Sequence, residues 1–415
     1  MQLTEHQQRM LSGEHGPAVR KSMEILVAVG EIYGAQRMLP VESVHLTGAS
    51  IVATGEAGVE FVEEMARSVE RLAVPATLNP GSLDRMKWAE MELEEDRPEL
   101  QKRLSAAYEK MGTRCTHTCT PYVVGNAPKR GEHVAWGESS AVIFANSVLG
   151  ARTNREGGPT ALASAITGLT PEWGYHLDEN RKGHLLVDVR VPMSSAFDYG
   201  NLGFHVGKIA KDRIPVFTGL PRDITQDQHK ILGATLASSG AVAMYHVVGV
   251  TPEAPTLEAA FGGRDPEETH VVDAAAMGEA SGRLNKAPGQ GVDWIYLGCP
   301  HLSLDELERV ASFLDGKRVE EHVALWVSSS FIVNDDARQL GYTQRIEAAG
   351  GHVISGTCPV LALSDVIAQR KGYESITTNS AKMANYMPGQ FNIRTRYGSL
   401  EQCLEAALTG RWAVA

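Results

Sequence analysis

Residues 294–314 read WIYLGCPHLSLDELERVASFL, and this stretch decides the fold. Trp294 to Leu297 is a short apolar run stopped by Gly298 and Pro300, which reads as a strand buried on both faces. Ser303 with Glu306 three residues later forms a capping box, and the apolar spacing that follows carries a helix to about Leu314. The unit repeats: VALWV at 323–327 reads as the next strand, 335–349 as the next helix and HVIS at 352–355 as a third strand. Repeated strand–helix alternation predicts parallel sheets flanked by helices, with ligands gathering beyond the carboxyl ends of the strands. Cys299 and Cys358 both stand at such ends, each directly before a proline.

The same alternation runs through the rest of the chain. Residues 17–34 carry apolar side chains at helical spacing; VESVHL at 41–46 then reads as a strand ending in Gly48, Ala49 and Ser50. A second helix around residues 59–72 leads to VPATL at 74–78, which stops at Asn79, Pro80 and Gly81. A helix over about 98–111 delivers the chain to Cys115, His117 and Cys119. Strands are expected at 184–191 and 241–250, with a capping box of Thr225 and Gln228 opening a helix between them. A chain of 415 residues calls for two or three packed domains, placed at 1–205, 206–285 and 286–415.

Composition narrows the function. With 50 acidic against 39 basic residues the formal charge is −11, which argues against nucleic-acid or anionic-membrane partners, so an anionic ligand needs a local cationic pocket. The polar start lacks a secretory pattern, and no apolar run approaches the roughly 18 residues of a membrane span, so the cytoplasm is the expected location. Five cysteines, an odd number, fit a disulfide framework poorly. Metal ligation, chemistry or packing must account for them. Cys403, inside the helical run LEQCLEAAL, reads as packing. Cys119, Cys299 and Cys358, far apart in sequence and each at or next to a proline-containing turn, could instead hold one metal and leave a position free for substrate. Cys115, His117 and Cys119 alternatively suggest a local zinc site.

Two other segments stand out. From Ala135 to Gly168, Glu138, Ser139, Arg152 and Arg155 sit among small residues; the two arginines could clamp a carboxylate or phosphate, or simply be solvated. Lys382 follows Asn379 and Ser380, either of which could cap a helix whose first turn would attract an anion. GEAG at 55–58 lacks the spacing of a dinucleotide site.

Taken together, GAS at 48–50, LNPG at 78–81, CTPYVVGNAP at 119–128, GEHVAWGESSAVIFANSVLGARTNREGG at 131–158, GCP at 298–300, GTCP at 356–359 and NSAKMANY at 379–386 closely resemble the aconitase X family over nearly the whole chain. The resemblance is to the large subunit of the two-subunit forms, whose characterised activities are dehydration of mevalonate 5-phosphate and of cis-3-hydroxy-L-proline. It implies a multi-domain, aconitase-like α/β core of parallel-rich sheets, without the swivelling small domain. It also implies an iron or iron–sulfur centre on three cysteines, here Cys119, Cys299 and Cys358. Gly48, Ala49, Ser50, Asn79, Pro80, Glu138, Ser139 and Lys382 would line the substrate site. The family commonly has two cysteines close together before TPY, whereas here Cys115 and Cys119 are separated by three residues, so either is a candidate first ligand. Cys119 is preferred because it keeps its place beside TPY.

The resemblance further implies a separate small subunit that closes the site and supplies a serine base. The expected reaction is removal of water from a small anionic hydroxy acid. Iron would bind the departing hydroxyl, Glu138 and Ser139 would orient substrate or relay protons, and Lys382 would hold its anionic end. Composition of mesophilic, bacterial character favours cis-3-hydroxy-L-proline, with mevalonate 5-phosphate as the alternative. A non-catalytic zinc-binding or assembly subunit is the reading from another class.

Overall fold

The computed structural model describes residues 1–91 and 96–413. It is a mixed α/β protein built on three parallel sheets flanked by helices. Val44–Leu46 lies between Ala76–Leu78 and Ala135–Trp136 in the first sheet. In the second the order is His246–Val247, Pro215–Thr218, Leu185–Val189, Glu268–Val272. The third runs His352–Ser355, Ala324–Ser329, Trp294–Leu297, Ser375–Thr378, Arg394–Tyr397. A short antiparallel pair, Met38–Pro40 with Leu169–Pro171, completes the sheets of the described residues. Among those residues no helix is long and apolar enough to cross a membrane.

The stretch at 294–314 behaves as its sequence dictates. All four residues of Trp294–Leu297 are buried, and Ile295 and Leu297 pack with Leu307, Val310 and Leu314 of the next helix. Ser303 Oγ accepts the Glu306 N–H at 3.2 Å while Glu306 accepts the Ser303 N–H at 2.9 Å. The Thr225–Gln228 box forms in the same way, opening the helix Gln226–Ser239. Each box satisfies two amide donors that a helix start otherwise leaves open.

Two expected elements differ. The helix expected over 335–349 is two helices, Phe331–Gln339 and Tyr342–Ala348, because Gly341 takes a left-handed φ of 80° between them. Of the strand expected over 241–250 only His246–Val247 joins a sheet. The preceding residues bond side chains instead of a neighbouring strand: Asn146 Nδ2 donates to the Ala243 carbonyl at 3.0 Å and Ser147 Oγ accepts the Tyr245 N–H at 2.8 Å. The domain border placed at 205 falls inside the helix Ala196–Ala210, which packs on the second sheet.

The first and third sheets meet through the loops beyond their carboxyl ends. The Gly81 N–H donates to the Gly356 carbonyl at 2.9 Å, and Ser50 Oγ donates to the Leu361 carbonyl at 2.9 Å. Thr118 Oγ1 lies 3.1 Å from His301 Nδ1. Five loops that are remote in sequence, holding Ser50, Gly81, Thr118, His301 and Gly356–Leu361, are thereby stitched into one place.

Candidate active site

Two strands, one from the first sheet and one from the third, deliver helix starts to this seam. Trp136 ends a strand of the first sheet, and Glu138, two residues on, caps the helix Ser139–Phe144 by accepting the Ser140 N–H at 3.3 Å. Thr378 ends a strand of the third sheet, and Ser380 Oγ caps the helix Ala381–Phe391 by accepting the Met383 N–H at 3.1 Å. That cap places Lys382 on the first turn. The two helix starts face one another, and Lys382 Nζ donates to Glu138 Oε1 at 2.8 Å, with both side chains largely buried.

The pair has further partners. Asn79 Nδ2 donates to Glu138 Oε2 at 3.1 Å, and Ser140 Oγ donates to Oε1 at 3.0 Å. Ser139 Oγ reaches the same oxygen only at 3.5 Å. Burial pushes the Glu138 carboxyl up, but Lys382, the Ser140 N–H and Asn79 outweigh it and hold the group at about 2. Burial likewise works against the Lys382 charge. Glu138 first, then Cys299, Tyr386 and Cys119, lift the ammonium well above its ordinary value. The result is a buried ion pair that stays ionised through the neutral range.

A pH dependence follows with a definite sign. The Glu138 value is depressed from an ordinary 4.5 to about 2, so its stabilisation is fully present above pH 4.5 and disappears as pH falls through 2. Denaturant midpoints measured from neutral pH down to pH 2 should show this loss, worth about 3 kcal/mol. Glu138→Gln should flatten that part of the curve. An unchanged slope in the variant would place the acid-labile group elsewhere.

The three cysteines gather beside this pair. The Cys358 thiol hydrogen-bonds Cys299, which lowers Cys299 and, together with burial, drives Cys358 well above its ordinary value. Cys119 Sγ accepts the His301 N–H at 3.3 Å, and burial, with Glu138 close by, pushes its thiol up to about 12. The Cys299–Pro300 bond is cis. His301 Nε2 donates to the Thr357 carbonyl at 2.8 Å, which leaves Nδ1 of the neutral ring to accept from Thr118 Oγ1 at 3.1 Å, and burial lowers the imidazole to about 4.

The metal expectation is corrected at this point. Among the described residues no group of three or more His, Cys, Asp or Glu side chains is disposed to hold a metal ion. The residues present do not fit an iron or iron–sulfur centre on Cys119, Cys299 and Cys358. A metal requires thiolates, whereas burial, with Glu138 close by, pushes the Cys119 thiol up, and its bond to Cys299 together with burial pushes the Cys358 thiol up. The zinc alternative is overturned by the same finding. Cys115 donates to the Ser105 carbonyl at 3.8 Å with its thiol pushed up to about 12 by burial, and His117 packs edge-on against Phe331. Cys403 is fully buried in its helix, as its sequence setting indicated.

The remaining sequence candidates divide. Asn79 bonds Glu138 directly, and buried Pro80 follows it in the loop carrying the Gly81–Gly356 bridge. Gly48 has φ 84° and the Ala49 carbonyl accepts from Gln101 Nε2 at 2.8 Å. Ser50 lies 2.6 Å from Ser82 and caps the helix Ile51–Ser68. Arg152 turns away: it donates to the His176 carbonyl at 3.0 Å, pairs with Asp178 and lines a separate cavity of about 690 Å³. Exposed Arg155 rests on the Ala241 and Val242 carbonyls, 3.2 Å from each, close enough to Tyr386 to influence it electrostatically. Sequence reasoning gave no site role to His45, Ser140, His301 or Tyr386, although Ser140 lies in the polar-rich segment from Ala135 to Gly168 that it singled out. A histidine inside the apolar strand VESVHL was the one signal that a polar group had been committed to the interior.

Comparison with known proteins decides the family. The aconitase X first-domain model matches residues 1–179, the second-domain model 183–281 and the third-domain model 292–409. The chain belongs to the aconitase X family. It is a large-subunit homologue: it is 48% identical to a phosphomevalonate dehydratase large subunit of Methanothermobacter thermautotrophicus, over 94% of this chain and 95% of that protein. Similarity to a cis-3-hydroxy-L-proline dehydratase of Pseudomonas aeruginosa is 37% over 97% of this chain, which spans 69% of that protein. The crystal structure of Thermococcus kodakaraensis aconitase X in its holo-form superposes with a TM-score of 0.88 at 39% identity, covering 98% of this chain and all of that one. The leaning of the sequence toward cis-3-hydroxy-L-proline is therefore corrected. The aconitase X relatives that match end to end carry the phosphomevalonate name, and compositional character had no bearing on the pocket.

Proposed function

We propose that this aconitase X chain is the catalytic large subunit of a phosphomevalonate dehydratase, removing water from mevalonate 5-phosphate. The chain is a hydro-lyase. The observation that carries the substrate reading is the end-to-end correspondence with large subunits of that name. The site chemistry is compatible with an anionic substrate. Lys382 is a buried, permanently charged group at a helix start, where amide dipoles add to its field. Substrate would draw Lys382 partly away from Glu138 and accept its charge, while Asn79 and Ser140 keep the carboxylate in place. Glu138, held as an anion, can then orient a substrate hydroxyl or take up a proton when the carbon–oxygen bond breaks.

A small subunit completes this proposal by supplying a serine that removes the proton from the adjacent carbon. Co-expression with a candidate small subunit, followed by dehydration assays on mevalonate 5-phosphate and cis-3-hydroxy-L-proline, tests both parts. Turnover of the phosphorylated substrate by the pair, and little by the 415-residue chain alone, is the expected result. Preference for hydroxyproline would overturn the substrate; full activity of the isolated chain would overturn the partner.

A further inference from the structure

His301 is fully buried where the loops of the first and third sheets meet, and its own backbone is held from two sides. Its N–H donates to Cys119 Sγ at 3.3 Å. Its carbonyl accepts from Lys230 Nζ at 3.3 Å, and that ammonium directs its other two donors to Asp227 and Glu306. With all three ammonium donors engaged, Lys230 is fixed and the His301 peptide is fixed with it.

Both ring nitrogens then reach into other segments. Nε2 faces the Thr357 carbonyl at 2.8 Å, and because a carbonyl can only accept, Nε2 carries a proton. Ser328 Oγ donates to the same carbonyl at 3.0 Å, so both of its lone pairs are occupied. Nδ1 of the neutral ring accepts from Thr118 Oγ1 at 3.1 Å. The Thr118 oxygen keeps its lone pairs for Thr120, whose N–H donates to it at 3.2 Å and whose Oγ1 lies 3.0 Å away. In this arrangement no donor faces a donor and no acceptor an acceptor.

The two segments held by the ring flank Asn79. On one side the Thr118 N–H donates to the Leu78 carbonyl at 3.0 Å, within the peptide that joins Leu78 to Asn79. On the other side the Gly81 N–H donates to the Gly356 carbonyl at 2.9 Å, and Gly81 pairs with Thr357 in parallel register. Between these anchors, Asn79 Nδ2 donates to Glu138 Oε2 at 3.1 Å. We infer that His301 is a positioning residue: through Thr118 and Thr357 its two ring nitrogens grip the chain on either side of Asn79 and set the aim of that amide at Glu138. The inference rests on the reading of Glu138 and Lys382 as reaction machinery, whereas the placement of Asn79 can be observed without any substrate.

The wild-type ring is read first, by nitrogen-15 NMR of histidine-labelled protein with the signal assigned by difference from His301→Gln. His301 should be Nε2–H at neutral pH; an Nδ1–H ring would overturn the inference whatever the variants do. Thr118→Val keeps the shape of its residue and removes one of the two grips. In its crystal structure the Asn79–Glu138 bond should be lost, and kcat of the two-subunit enzyme should fall about tenfold, the scale of one lost hydrogen bond, with KM little changed. Thr118→Ser returns the hydroxyl and should restore both. His301→Phe removes both grips and should lower kcat about a hundredfold; should it fail to fold, Thr118→Val carries the test. An intact Asn79–Glu138 bond or wild-type kcat in Thr118→Val also sinks the positioning role. Loss of the bond in Thr118→Val and its return in Thr118→Ser, in an enzyme that dehydrates neither substrate, supports that role and faults only the proposed reaction.

Discussion

Lys382→Met is expected to abolish measurable turnover and to destabilise the protein by about 3–5 kcal/mol, because it strands the Glu138 carboxylate in a buried site without its cation. Loss of a charge aimed at the reacting group costs on the order of 10²–10³ in kcat, before any effect of the altered Glu138. Glu138→Gln should be destabilising for the converse reason. The informative variant is the double one. Glu138→Gln with Lys382→Met leaves no uncompensated charge, so stability should recover well toward wild type while activity stays absent. Denaturant melts of the four proteins, combined with the dehydration assay, separate the structural role of the pair from its chemical one. Wild-type activity in Lys382→Met would remove that residue from the site.

Gly298→Ala should be almost as damaging, with no charge involved. Gly298 has φ 118°, where a side chain is strained, and an added Cβ would lie 2.2 Å from the Ser328 carbonyl oxygen on the adjacent strand. Backbone cannot yield as a flexible side chain can, so a loss of about 4 kcal/mol or failure to fold is expected. The clash falls one residue before Cys299, where the strand Trp294–Leu297 releases its chain into the site. Gly278 is the control. It lies in the helix Ala274–Leu284, where an added methyl would meet nothing within 4 Å, so Gly278→Ala should stabilise by about 0.5–1 kcal/mol. Equal denaturation midpoints for the two variants would refute the steric reasoning.

Much of the architecture was legible because its causes are local. Apolar runs of four or five residues ended by Gly or Pro became buried parallel strands, and the Ser303–Glu306 and Thr225–Gln228 boxes opened helices where their spacing said they would. The loops GAS, LNPG, GCP and GTCP could be placed at strand ends, hence on one side of the sheets, without knowing how the sheets pack. Local reading failed where a distant group intervened. Backbone near Ala243 and Tyr245 is satisfied by Asn146 and Ser147 nearly a hundred residues away, which no pattern within 241–250 encodes. The metal expectation failed for a related reason: position beside proline says where a thiol stands, but its protonation is set by burial and by neighbours such as His301 and Glu138.

By itself the amino-acid order determined the alternating strands and helices, the capped helix starts and the set of polar residues delivered to strand ends, since these depend on spacing and on groups three or four positions apart. Only the tertiary structure decided that Glu138 and Lys382, 244 positions apart, form one buried ion pair, that Arg152 faces another cavity, and that His301 joins the Thr118 and Thr357 loops. Charge stabilisation and hydrogen-bond direction depend on distances across packed sheets, and those distances exist only once the sheets have met.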